Sequence, residues 1–213
     1  MKATRVKKIT AVVLVAACAV TMLAIPAQAA SAKTNVKKVV RQMEKFEYYL
    51  LAAKGAYGKN TKIKLTGRIK AKAATLSVKT KKSDQIYEGI PQGYAAYRLS
   101  GKKVKRVGQD LFGKPVLVSD LPQKMKNNFV DVCLKSGKPV VYYLDRGMDT
   151  DMVNKKLTIK RRGSGKYTVK HDVYFGYWGF SGGKANYRII YSLKKNIASK
   201  YGYVITSMSI KPL

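Results

Sequence analysis

The sequence predicts an α+β protein in which N-terminal helices pack on a curved antiparallel sheet. Three observations carry that prediction. Between Asn35 and Lys54 the apolar residues recur at three and four positions, the stripe of an amphipathic helix. Beyond Val140 the period changes to two, as in strands with one buried face. Glycine turns separate the alternating runs, as antiparallel hairpins require. Helices first and hairpins later is the α+β order.

The first stripe is Val36, Val39, Val40, Met43, Phe46, Leu50 and Ala53. Thr34 or Asn35 is placed to cap its start and Gly55 to end it. Thr66 is a cap for a second helix over about Arg68 to Val78, with Ile69, Ala73 and Leu76 on one side, while the pair Ile63/Leu65 fits a strand as well. Residues 79–93 carry Gly89, Pro91 and Gly93 and read as a loop. Tyr94 to Leu99 fits a short strand, and Ser100 caps a third helix that closes at Phe112-Gly113. Val140 to Leu144 and Leu157 to Lys160 are strand candidates. The turn Arg162-Gly163-Ser164-Gly165 leads into Tyr167, Val169, His171, Val173, Phe175 and Tyr177 on one face. A second hairpin joins Tyr187, Ile189, Tyr191 and Leu193 to an alternating run over Tyr203 to Ile210.

This element order resembles the nuclear-transport-factor-like and cystatin-like cone folds. The segments KVKRVGQDLFG (103–113) and KYGYVITSMSI (200–210) are similar to uncharacterised secreted proteins of Gram-positive bacteria. The resemblance implies a pocket between sheet and helices, used for ligand binding, dimerisation or catalysis. A fold that hosts many functions says little about which.

The start of the chain reads as an export signal. Lys2, Arg5, Lys7 and Lys8 precede an apolar run from Ile9 to Ile25, Pro26 ends the run, and Ala27-Gln28-Ala29 places small residues where a signal peptidase cleaves. Residues 1–29 are thus expected to be a signal peptide and 30–213 a single α+β domain. Val15-Ala16-Ala17-Cys18 also fits a lipobox, with Cys18 as the lipidated residue. Against it, the chain stays apolar from Ala19 to Ile25. Cleavage leaves Cys133 without an internal disulfide partner, so the domain must be held by its core.

The chain carries 43 Lys+Arg against 11 Asp+Glu, and removing the four cations of the signal leaves a net charge of +28. Such a field attracts anionic cell-wall polymer or a membrane surface. Lysine dominates over arginine, which fits diffuse, salt-sensitive attraction. The densest runs are Lys102-Lys103-Val104-Lys105-Arg106 and Lys160-Arg161-Arg162. An export signal ranks nucleic acid behind envelope polymers as the partner.

No catalytic motif stands out. His171, the single histidine, faces the predicted interior, where it is either a pocket acid or base or a core residue bonded to a tyrosine. Cys133 precedes it, but the flank Phe129 to Leu134 lacks the small residues that expose a nucleophile, so the thiol reads as buried and inert. Asp145, Asp149 and Asp151 offer oxygen ligands for calcium without the EF-hand spacing; paired to lysines, they are an ordinary solvated turn. Tyr177, Trp178 and Phe180 stand in a glycine-rich stretch and either stack on a small-molecule or peptide ligand or fold back onto the core. Nothing requires a cofactor. The expected function is a binding or scaffolding role at the envelope; the alternative is a pocket enzyme or small-molecule binder using His171 and some of the fifteen tyrosines.

Overall fold

The structure is a computed structural model. It describes residues 31–54, 59–126, 130–144, 150–177 and 183–213, with the side chains of 53, 54, 150 and 177 left aside. The chain divides into units Met1–Asn35 and Val36–Leu213. Of the first, residues 31–35 are described, and they are helical. The proposed signal segment, Cys18 included, lies outside the described residues.

The second unit begins with α1 (36–41) and α2 (Glu44–Lys54). The single predicted stripe is thus divided at residues 42–43, where Met43 N–H bonds Val40 O and Phe46 N–H bonds Met43 O. The stripe itself survives the division: Val36, Val39, Val40, Met43, Phe46 and Leu50 are all buried. Next come β1 (Thr61–Ile63) and α3 (Gly67–Leu76). Ile63 belongs to a strand, and Thr66 caps α3 by accepting from Ile69 N–H at 3.3 Å. β2 (Gln85–Ile86), β3 (Tyr94–Arg98) and α4 (Gly101–Phe112) follow. Ser100 occupies the N-cap of α4 in extended conformation, but its side chain makes no capping bond. Gly113 ends α4 in the left-handed conformation, φ 79°.

The remaining elements are β4 (Val130–Lys135), β5 (Lys138–Leu144), β6 (Thr150–Gly163), β7 (Lys166–Tyr177), β8 (Tyr187–Lys195) and β9 (Tyr203–Pro212). The α+β class is as the sequence predicts. The strands, however, form two antiparallel sheets, in the orders β1-β9-β8-β7-β6 and β2-β3-β5-β4. The reason is geometric. A strand has two edges, and those of β5 are taken by β3 and β4, so β6 cannot pair with the strand before it and pairs instead with β7 in the second sheet.

β4 carries no alternation because Val130 to Leu134 are all buried, as in strands covered on both faces. Ser136 (φ 49°) and Gly137 (φ 70°) make the tight β4–β5 turn, since two positive-φ residues match the twist of the strands they join. In β8 the alternation holds from Tyr187 to Leu193, and in β7 it holds apart from Asp172, which is buried like its neighbours. Tyr167, Val169, His171 and Val173 of β7 and Tyr187, Ile189, Tyr191 and Leu193 of β8 are buried, and α2 lies on that face. β6 is the outer strand of this sheet. Its exposed Lys155, Lys156, Lys160, Arg161 and Arg162 guard it against pairing with another chain.

Candidate functional site: a basic groove over a core that holds the acids

The acids are not distributed like the cations. Glu47, Asp110, Asp131 and Asp172 are buried, whereas Lys72 is the one buried lysine or arginine among the described residues. Each buried carboxylate has a structural partner. Asp131 accepts from Lys72 Nζ at 2.6 Å and from the backbone N–H groups of Lys126 and Val132 at 2.6 and 2.7 Å. Lys72 also donates to the Tyr49 hydroxyl at 2.7 Å. Burial pulls the Lys72 ammonium down, but these bonds outweigh it and hold its pKa above the ordinary value. Asp172 takes a two-pronged bond from Arg188, its cross-strand neighbour, at 2.6 and 2.8 Å. Asp110, on α4, accepts from Lys200 N–H at 3.1 Å. With these acids taken inward, the surface is more positive than the composition alone implies.

Glu47, like Asp131, is fully buried. His171 Nδ1 lies 3.1 Å from its Oε1, in hydrogen-bond alignment, and 2.9 Å from its Oε2, in ion-pair contact. The Tyr191 hydroxyl donates to the same Oε1 at 2.5 Å. Burial lowers the His171 pKa, but the bond to Glu47 and its charge outweigh burial, and the net direction is upward. Burial and the neighbouring Glu47 charge push Tyr191 well up. His171 therefore sits where the strand parity puts it, 3% exposed, with a glutamate as its partner and that glutamate held by a tyrosine. It lines none of the grooves described below. Between α2 and this sheet face Glu47, His171 and Tyr191 meet, all three buried.

Cys133 is buried and free. Burial pushes its thiol pKa up, the opposite of an activated nucleophile. It packs with Ala96, Val140 and Tyr142, and burial also pushes the Tyr142 hydroxyl up to about 12. Asp151 accepts from Met152 N–H at 2.7 Å. Among the described residues no group of three or more His, Cys, Asp or Glu is placed to hold a metal. Asp145, Asp149, Trp178, Phe180 and the Tyr177 side chain lie outside the described residues.

A groove of about 830 Å³ is lined by residues of α1, α2 and α4 and of the loops that follow α3 and β8. α1 supplies Lys38 and Arg41, α2 supplies Glu44 and Lys45, the end of α3 and the residues after it supply Leu76 to Lys79, α4 supplies Lys103, Arg106, Val107 and Asp110, and the β8–β9 loop supplies Lys200 and Tyr201. On α4 the spacing of Lys103, Arg106, Val107 and Asp110 is that of one helix face. Val104 and Leu111 turn inward and are buried. The seven cations are all exposed, and Lys200, to Asp110 Oδ2 at 3.1 Å, is the one of them in an ion pair among the described residues. Lys45 also donates to the Tyr143 hydroxyl at 3.3 Å, and burial lowers its pKa. The groove thus offers converging positive charge beside an apolar wall of Leu76, Val78 and Val107. The basic run on α4 is its one visible trace in the sequence. The other cations come from elements far apart in the chain.

No family model, curated protein or solved structure matches the chain. Among the described residues no helix is long and apolar enough to cross a membrane.

Proposed function

We propose that this is an exported protein of a Gram-positive bacterium that binds anionic cell-wall polymer through the helical groove and acts as a binding or scaffolding domain at the envelope. One observation carries the reading: seven exposed cations, against the two acids Glu44 and Asp110, converge on one groove, while Glu47, Asp131 and Asp172 are withdrawn into the core. A concave cationic surface raises the local concentration of a polyanion and follows its chain. The export pattern over residues 1–29 sets wall polymers and lipid headgroups ahead of nucleic acid as partners. The predominance of lysine fits attraction to repeated charge over recognition of a single group.

The test is retention of the chain beginning at Ala30 on purified anionic wall polymer over a salt gradient. Retention is expected at low salt and is expected to fall steeply as salt rises. Lys103→Glu with Arg106→Glu, both exposed, is expected to elute at clearly lower salt with an unchanged melting temperature. Absence of retention at low salt, indifference to salt, or a variant that elutes with the wild type would each refute the proposal.

A further inference from the structure

The β8–β9 loop lies between two concavities. Lys200 and Tyr201 line the basic groove, and Asn196 lines a second groove of about 470 Å³ with Lys114, Leu117 and Lys194. At the loop's tip Ile197 is 94% exposed, more than any other large apolar side chain described. Leu117, on the wall of the second groove, is 61% exposed. Single exposed apolar residues are common on protein surfaces, so exposure by itself argues nothing. What distinguishes Ile197 is that the loop holds it out.

Asn196 N–H bonds Gly202 O at 2.9 Å and Gly202 N–H bonds Ser199 O at 2.8 Å, closing the loop on itself. The Asn196 side chain accepts from Ala198 N–H at 2.8 Å. Helix α4 then clamps the loop: Gln109 Nε2 donates to Ala198 O at 3.2 Å, and Ser199 Oγ donates to Asp110 O at 2.7 Å. With its neighbours bonded on both sides, Ile197 has no route back to the core. Lys194 and Lys195, three and two residues before Ile197 in the chain, are both exposed.

A soluble polyanion satisfies those lysines and leaves Ile197 in water. An anionic bilayer surface satisfies both. An aliphatic side chain enters the acyl boundary while ammonium groups on flexible stems stay among the headgroups. We infer that this end of the molecule docks on an anionic lipid surface, with Ile197 inserted and Lys194 and Lys195 at the headgroups. This contact is separate from polymer binding in the groove, and each can fail without the other.

The experiment compares the wild type with Ile197→Ser, both beginning at Ala30, on vesicles of pure phosphatidylglycerol and of pure phosphatidylcholine. The wild type is expected to bind the first and not the second. Ile197→Ser is expected to bind phosphatidylglycerol roughly tenfold more weakly, the scale of one aliphatic side chain returned to water. Its melting temperature and its retention on soluble wall polymer are expected to stay unchanged. Equal binding of the two proteins to phosphatidylglycerol overturns the inference, as does absence of vesicle binding by the wild type. A parallel loss on soluble polymer assigns the loop to the polyanion instead, and loss of self-association in the variant assigns it to a second copy of the chain; either outcome overturns the inference. Vesicle binding without polymer retention refutes the groove proposal and leaves this one standing.

Discussion

Nδ1 of His171 lies 3.1 Å from Oε1 of Glu47, tying the middle of β7 to α2 across 124 residues of chain. The charged groups around His171 are Glu47, Glu44 and Asp172, all of which favour the protonated ring. Since both partners of the pair are buried, each depends on the other to remain solvated by protein.

Removing Glu47 is therefore expected to be severe. Glu47→Ala strips the ring of its carboxylate and the Tyr191 hydroxyl of its acceptor, and is expected to cost about 3–5 kcal/mol in urea denaturation. The pH dependence has a definite sign. The native His171 pKa lies above its ordinary 6.5, so the folded state binds the proton more tightly than the unfolded state. The stability this contributes is fully present below 6.5 and is lost as pH rises through the elevated native value. His171→Asn is expected to remove that alkaline decline, read from denaturation midpoints across neutral pH.

The second buried pair has an internal asymmetry. Asp131 serves Lys72 and two backbone N–H groups, so its loss takes this acceptor from two backbone donors and leaves a buried ammonium on the Tyr49 hydroxyl without its carboxylate, whereas loss of Lys72 leaves the carboxylate with its backbone partners. Asp131→Ala is expected to cost about 3–5 kcal/mol, and Lys72→Met less. Equal losses in chemical denaturation would mean that the ion pair, and not the backbone bonds, dominates the site.

Gly108 sits in the interior of α4, where alanine ordinarily stabilises a helix by about 1 kcal/mol. Here a Cβ would stand 2.6 Å from Val116 Cγ1 and 3.0 Å from Val116 N. The backbone atom cannot swing aside, so Gly108→Ala is expected to destabilise by about 1–3 kcal/mol, the usual scale of overpacking. A higher melting temperature in the variant would show that the 113–117 segment yields.

Cys133 is expected to resist alkylation in the native protein and to react fully in denaturant, because it is 4% exposed and burial raises its pKa. Rapid native labelling near neutral pH would contradict that burial and reopen a nucleophilic role. Cys133→Ala is expected to leave polymer retention unchanged.

Much of the fold is legible in local patterns of the chain. The apolar stripe from Val36 to Leu50 and the alternation through Tyr167 to Val173 both lie on buried faces, because a one-sided element must write its period into the chain. The cap at Thr66 and the stop at Gly113 are legible for a similar reason: each depends on one residue's own chemistry. β4 is not legible, since a strand buried on both faces has no period to read.

The sequence by itself determined the α+β class, the excess of positive charge and the inward face of His171. Only the tertiary structure decided what those features meet. It set Glu47 beside His171, with a tyrosine completing the group, and it divided the strands into two sheets, with β5 between β3 and β4 and β6 paired to β7. It also sorted the charges, drawing Glu47, Asp131 and Asp172 into the core and gathering cations from three helices, the segment after a fourth and one loop around a single groove. Such pairings join residues distant in the chain, and no local period or propensity encodes a contact that exists only once the chain has closed on itself.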